Sequence, residues 1–382
     1  QGFNWTWADT KQVAMPSEGE IRALIAPANS ARQGYHWAKA ARTLDRVSAV
    51  NMRFIRPDAL SRTHSDFTVP IDVAHHSGLW ARRQKSALLD GGFTHVFIES
   101  GLSLLPSEFG GDLQRELETY LDAGIKVAMV SHGSDVRLPS QHAQIEPYSP
   151  FRRRNDLTLA LERNAASNLA LLDSLSLPEF VSTPDLLEFR PGATLLPIQA
   201  DPALWDCADP GDVPHAKPVV LHVPDTQPLL KGTAWIRPAM RELDEEGIIE
   251  YVEPVSVPFG EMPALISAAD IVVNQVGMGL YAVVAVEAML AGKTVVSQVW
   301  DSVRVLLQER TGTPVPVVEA NPETLKETVR ELALDPERRA SLGAAGRRFA
   351  LAEHGPEAAA RALRPFLLSE LQKASGGDLE QR

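Results

Sequence analysis

The chain has 382 residues, 44% of them hydrophobic and 23% charged, the balance of a globular protein too long for one ordinary core and sized for two domains. A formal net charge of -12 and a pI near 5.4 count against a general nucleic-acid binder or a polybasic membrane protein, although local basic patches stay open. One cysteine, Cys207, excludes an intrachain disulfide and suits a reducing compartment. No apolar run approaches the roughly 20 residues of a membrane-spanning helix. The opening QGFNWTWADTKQ is not patterned as a signal peptide, so a cytosolic place is expected, and the missing initial Met implies a trimmed segment ahead of it.

Behind a polar lead, residues 21–26 (IRALIA) predict a strand, 27–34 a loop, and Tyr35 the neighbourhood of a helix start; a second strand at 50–55 follows at βαβ spacing. Residues 57–78 read as irregular and polar. A helix at 80–89, a strand at 95–99, a helix at 112–123 and a strand at 126–130 follow. The polar stretch 131–155 reads as one long loop, and long loops in compact domains are usually functional or mobile. A helix at 156–172 and short strands near Phe180 and Thr194 end the first half. Prolines 197, 202, 210, 214 and 218 then mark a linker. Alternation restarts with a strand at 219–223, a helix at 234–245, a strand at 248–252 and a helix at 261–269. Next come a β-branched strand (Ile271, Val272, Val273), a turn at Gly277-Met278-Gly279, an apolar helix over 280–290 and a strand at 294–296. The tail, 322–373, reads as largely helical. This rhythm predicts an α/β chain of two doubly wound, Rossmann-like domains, 1–200 and 218–382, joined through 201–217 and facing a cleft, with the last helix able to cross back onto the first domain.

Glu287 is the one charged residue of the 280–290 helix. A carboxylate buried toward a helix C-terminus is costly unless something donates hydrogen bonds to it, and a ligand carrying hydroxyls would do so. The turn Gly277 to Ala282 fits a relaxed G-x-G-x-x-A pattern between strand and helix, where glycines admit a pyrophosphate and the helix start offers N–H groups. A tight turn without a ligand stays open, as does a dinucleotide site with Asp301 as its acid, but such a fold has no task for Glu287. His132 and Asp135 open the long loop at the carboxyl end of a strand, where open α/β sheets bind ligands. Taken singly, His132 reads as a surface histidine and Lys231 as a solvated lysine. Arg82-Arg83 and Arg152-Arg153-Arg154 read as solvated faces. Nothing has metal-ligand spacing: His75 and His76 are adjacent and share no face in a helix or strand.

The stretch GLYAVVAVEAMLAGKTVVS (279–297) resembles the C-terminal donor-binding signature of retaining glycosyltransferases of the GT-B fold, the large family that includes sucrose-type and bacterial polysaccharide enzymes. The usual pattern there is a glutamate, seven residues, and a second glutamate followed by Ala-Met. The second falls on Glu287, which the resemblance assigns to the ribose hydroxyls of a nucleotide sugar. The first falls on Gly279, so the acid that usually meets the hexose is missing, and the amides around Gly277, Gly279, Leu280 and Tyr281 are left to serve phosphates and hexose. VLHVPDTQPLLKGT (220–233) is similar to the strand, loop and Lys-Gly that open the C-terminal domain in that family. It places Lys231 where a lysine neutralises the donor diphosphate, whose charge grows as it departs. The arginine often found shortly before that lysine has no counterpart between Val219 and Lys231. EPVSVPFGEMPALISAAD (253–270) resembles the nucleobase-facing segment and implies backbone contacts from Pro254 and Val255. VSHGSDVRLP (130–139) is similar to the HGSD-like loops of bacterial members, in which the histidine faces the transferred sugar; this implies His132 there, with Asp135 and Arg137 beside it. The loop Asn29-Ser30-Ala31-Arg32-Gln33-Gly34 corresponds to one lying against the donor phosphates or the acceptor.

What the resemblance implies is transfer of a hexose-type sugar from a UDP- or GDP-sugar to a sugar-containing or lipid-linked acceptor, with retention and without metal or cofactor, in polysaccharide or glycoconjugate biosynthesis. The chain would work in the cytoplasm, with peripheral association at the inner membrane face left open and nucleic acid not a partner. Two rivals stand: a nucleotide-sugar epimerase of the same fold, which needs acid/base carboxylates in the cleft, and a non-catalytic nucleotide-sugar-binding partner subunit, suggested by Gly279.

Overall fold

The structure, a computed structural model, describes residues 5–56, 64–153, 155–205, 217–224 and 230–369. Arg154, Cys207, most of the expected linker (206–216) and residues 225–229 of the Lys231 loop lie outside the described residues. Strands β1 (Ile21–Ala26), β2 (Val47–Ile55), β3 (Phe67–Pro70), β4 (His95–Glu99), β5 (Lys126–Ser131), β6 (Glu179–Val181) and β7 (Thr194–Leu195) form one parallel sheet in the order β3-β2-β1-β4-β5-β6-β7. Strands β8 (Val219–Leu221), β9 (Glu250–Val252), β10 (Ile271–Val273), β11 (Thr294–Ser297) and β12 (Val318–Glu319) form a second, in the order β12-β11-β10-β8-β9. The α/β architecture of two doubly wound domains is thus present.

Strand β1 shows why such runs are apolar throughout. Leu24 and Ala26 pack with Trp80, Val96 and Ile98 on one face, while Ala23 and Ile25 pack with Trp37 and Leu363 on the other. A strand covered on both faces has no position for a solvated side chain. The helix Pro356–Leu367 supplies Leu363, laying Ala359, Ala360 and Leu367 against the helix Gln33–Ala41 of the first domain. Just before it, the buried His354 joins the Tyr281 hydroxyl (2.9 Å) to the Ile198 carbonyl (2.8 Å).

Three stretches differ from the sequence reading. Residues 57–78 are not wholly irregular: they contain β3 and the helix Ile71–His76, whose brevity leaves only Val69, Val73 and Ala74 buried and hence no visible period. Residues 131–155 are not one loop, because the helix Pro139–Ile145 and the 3-10 turn Pro150–Arg152 interrupt it. The helix expected from residue 280 starts at Val283, since Gly279 sits at φ +75° and Ala282 is extended. The helix Asp301–Thr311 escapes sequence reading, burying only Val303 and Leu307. No described helix is long and apolar enough to cross a membrane.

Each sheet reverses its order once, between β1 and β4 and between β8 and β10. A reversal opens a crevice at the carboxyl ends of those strands, because the connections leave to opposite faces. The loops after β1, β4, β8 and β10 therefore border the two crevices, and these four carry most of the residues discussed next.

Candidate functional site

On the first domain the pivot is Glu99, the last residue of β4, with no solvent exposure. Its carboxylate accepts hydrogen bonds from the Ala28 and Asn29 amides at 3.0 and 2.9 Å, and its other oxygen meets His132 Nε2 at 3.0 Å. Gly34 is needed here because a side chain would collide with Asn51 and the Glu99 oxygens, 2.6 and 3.0 Å from a Cβ built there. Burial opposes a charged imidazole at His132, but the hydrogen bond and charge of Glu99 outweigh it and the pKa is raised. Trp37 stacks on the His132 ring, centroids 5.4 Å apart, and leaves Glu99 at one ring nitrogen to fix its orientation. Asp135 turns inward and caps its own loop, accepting from the His132 and Gly133 amides. Arg137 is buried and tied to Asp185 through Nε (3.2 Å) and Nη2 (2.5 Å).

On the second domain Lys231 Nζ donates to the Val223 carbonyl at 3.0 Å, which holds the ammonium beside the end of β8. The Gly277-Met278-Gly279 turn serves packing. The Gly277 amide donates to Gln298 Oε1 at 2.7 Å, and a Cβ at Gly277 would lie 2.5 Å from the Tyr148 carbonyl oxygen. A Cβ at Gly279 would lie 2.1 Å from the Trp300 indole, so this residue is flush under a ring from its own domain. Glu146, almost fully buried on the first domain, receives the Trp300 indole N–H at 2.9 Å and the Gln298 amide at 3.1 Å, sealing the turn from across the cleft. Glycines 277 and 279 are thus explained by protein contacts, and the approach to the helix start runs along Leu280, Ala282 and Val283 instead.

Glu287 lies at 3% exposure in the helix Val283–Leu290. Its partner is a protein side chain from the other domain: Arg32 Nη2 donates to Glu287 Oε1 at 3.0 Å. Burial pushes the Glu287 carboxyl up to about 7, against the pull of Arg32 and Lys231. The Arg32 guanidinium lies over the Phe259 ring, 3.2 Å from its centroid. Arg32 is delivered by a strained loop, in which Asn29, Ala31 and Arg32 adopt φ of 49°, 46° and 67°. Left-handed backbone costs a non-glycine residue on the order of 1 kcal/mol or more and collects at functional sites.

Between these walls lies a cavity of about 260 Å³. Its lining joins His132, Arg137 and Gln33 of the first domain to Lys231, Gln275 and the 280–283 segment of the second, and it contains no carboxylate among the described residues. Of the residues singled out from sequence, His132, Lys231, Arg137, Gln33 and Leu280 meet in this cavity, and Glu287 feels the charge of Lys231 just behind it. Gln33 spends its side-chain amide on the Gln199 backbone, at 2.9 and 2.6 Å. Asn29 and Gly34 close around Glu99, and Asp135 supports its own loop, outside the cavity lining. The Tyr281 ring points into the core toward His354, and Val255 is fully exposed, away from the cavity. Glu99 is a functional candidate that the sequence did not assign, and Arg32 entered the sequence reading only as a member of the 29–34 loop, without a role of its own. The position of Glu99 at the carboxyl end of a strand beside the sheet reversal was the available signal. Among the described residues no group of three or more His, Cys, Asp or Glu could hold a metal ion.

Comparison with known proteins bears on the fold. Residues 230–364 match the family described as glycosyl transferase-like. The whole chain has the fold of GT-B glycosyltransferases. It is similar to sucrose-phosphate synthase from Thermosynechococcus elongatus, at 16% identity over 92% of this chain and 99% of that one with a TM-score of 0.56. It is also similar to Anabaena HepE in complex with UDP and glucose (14% identity, 91% and 99% covered, TM-score 0.54). A glycosyltransferase from Rickettsia africae (12% identity, 92% and 98% covered, TM-score 0.53) shares the fold as well. No curated protein sequence matches the chain.

Proposed function

We propose that the chain transfers a hexose-type sugar from a nucleotide-sugar donor to an acceptor, with retention of configuration and without metal or cofactor. The observation that carries this reading is electrostatic. In a protein of net charge -12, the cavity between the domains is lined by cations and by no described carboxylate. A pocket of that sign attracts an anion, and a diphosphate leaving group is the anion a sugar transfer produces.

Lys231, fixed on the Val223 carbonyl, is placed to neutralise the departing diphosphate, and the amides at the start of the helix Val283–Leu290 add their partial positive charge. Glu287 takes the ribose hydroxyls. His132, held by Glu99 and Trp37, presents its ring to the sugar. With no carboxylate base among the described residues of the lining, the departing phosphate oxygen itself accepts the acceptor proton as the new glycosidic bond forms on the face it vacates, which is the basis for retention. A structural neighbour holding UDP and glucose supports a uridine donor. The acceptor, sugar-containing or lipid-linked, would dock on the first domain from the cytoplasmic side, with peripheral membrane association as part of the proposal.

Thermal-shift measurements with UDP, GDP and ADP, followed by donor hydrolysis with the matching nucleotide sugars, test the reading; a folded protein stabilised by no nucleoside diphosphate overturns it. Proton NMR of the released sugar reads the anomeric outcome. A second reading, binding without transfer, is favoured by Gly279 lying flush under Trp300, where no acid meets the hexose. Donor binding with no hydrolysis and no transfer would decide for it.

A further inference from the structure

The contact between Arg32 and Glu287 does more than close the cleft. Among the described residues, the hydrogen bond from Arg32 Nη2 is the single one that the Glu287 carboxylate accepts, although the side chain is almost fully buried. Buried carboxylates meant as anchors are normally saturated with donors. Ser30, Ala31 and Gln33, on either side of Arg32 in the chain, line the cavity that holds Lys231, and the charges of Arg32 and Lys231 both act on the Glu287 carboxylate. The loop that delivers Arg32 is strained at three non-glycine positions, and residues 219–230 contain no arginine to serve as a second cation in the second domain. Arg137, the arginine that does line the cavity, makes two hydrogen bonds to Asp185.

We propose, resting on the nucleotide-sugar reading above, that Arg32 is the second cation of the donor site, supplied across the cleft by the first domain. When a nucleotide sugar enters, its diphosphate takes the Arg32 guanidinium and Glu287 is freed for the ribose hydroxyls. In the empty cleft the guanidinium neutralises one carboxylate. In the complex Arg32 and Lys231 each face one negatively charged phosphate, and hydroxyl donors replace the guanidinium at Glu287. The exchange also selects the ligand: an anion without hydroxyls strands Glu287, and a nucleoside without phosphates leaves nothing to draw Arg32 away. Burial pushes the Glu287 carboxyl up to about 7 against the pull of Arg32 and Lys231. Phe259, under the guanidinium, gives it a flat surface on which to slide without losing contact.

Isothermal titration of the full chain with UDP, GDP and ADP, and saturation-transfer NMR with the matching nucleosides, tests this in wild type, Arg32→Ala, Arg32→Lys, Glu287→Gln and the Arg32→Ala/Glu287→Gln double variant. For the diphosphate that binds wild type, Arg32→Ala should weaken affinity by about tenfold or more, with partial recovery in Arg32→Lys, while nucleoside binding is not weakened, because Glu287 is then open to the ribose hydroxyls. The loss should persist when Arg32→Ala is added to Glu287→Gln, a comparison that removes both charges and stays readable if the single alanine variant folds poorly. Unchanged diphosphate affinity in Arg32→Ala, or a loss that vanishes in the Glu287→Gln background, overturns the proposal and leaves Arg32 as a partner of Glu287 alone. Wild type binding none of the three diphosphates is a different failure, that of the nucleotide-sugar reading itself.

Discussion

Two buried glutamates, one in the body of the first domain and one at the cleft, are equipped in opposite ways. Glu116, without solvent exposure, receives the Ser103 hydroxyl, the Leu104 and Leu105 amides at 2.9 and 3.1 Å, and the Tyr120 hydroxyl at 2.6 Å. Every donor comes from within about one turn and one loop of its own domain. Glu287 receives one hydrogen bond, from a residue 255 positions away in the other domain. Burial raises both carboxyls, yet in Glu116 four hydrogen-bond donors oppose it, whereas Glu287 has one donor, the Arg32 guanidinium, and the more distant charge of Lys231. A saturated carboxylate fixes a fold, and one left short of donors can exchange its partner.

The largest effect should come from the saturated one. Glu116→Ala strips two backbone amides and two hydroxyls of their acceptor, and we expect a loss of about 3–5 kcal/mol in urea unfolding, independent of any nucleotide. Glu287→Gln keeps an acceptor for Arg32 and should unfold near wild type at neutral pH. If Glu287→Gln costs as much as Glu116→Ala, both glutamates are anchors and the contrast is broken.

Next in size, Lys231→Ala should lower kcat by about 10²–10³-fold in a donor-transfer assay, because a fixed cation acts on charge that grows only in the transition state. A rise in KM at unchanged kcat would limit Lys231 to ground-state binding.

The third test works through pH. The Glu287 carboxyl titrates near 7 when folded, against an ordinary value of 4.5. Between those values the folded chain keeps a proton that the unfolded chain has lost. Its contribution to stability is therefore fully present below pH 4.5 and is lost as pH rises through 7. Taken as the difference from Glu287→Gln across that range, the change should favour the variant by on the order of 2–3 kcal/mol at the alkaline end. A pH-independent difference would mean that Arg32 holds the carboxylate fully ionised.

The same contrast explains what could be read from the sequence. Strands such as β10 and β11, and the middles of β1 and β4, are covered on both faces, so they read as apolar stretches that need no knowledge of their partners. The helices Ile71–His76 and Pro139–Ile145 are short, and their burial is set by distant chain; His142, for example, is buried by Trp300 of the other domain. Glu287 stands out as a lone charge among apolar residues, while Glu116 hides among the other charges of the helix Leu113–Asp122. Lys231 and His132 come from turns at strand ends, a place that topology marks in advance. Arg32 and Glu99 act through partners 255 and 33 residues away, which no local pattern encodes.

The smallest expected effect concerns a carboxylate between the two extremes. Glu99 has two amide donors from its own domain, as an anchor would, and keeps an oxygen for His132, as a site residue would. In Glu99→Gln the amide donors and the shape are retained but the charge is gone. Burial is then opposed by the charge of Asp135 alone, the smallest of the raising causes, and the His132 pKa, raised in wild type, should fall below its ordinary value of 6.5. An NMR titration of the His132 ring reads this directly. The accompanying loss in kcat/KM should be about tenfold, with the pH profile moved to the acid side and stability little changed. If the imidazole titrates as before, Trp37 and the loop alone set its state, and Glu99 is an anchor of the Glu116 kind.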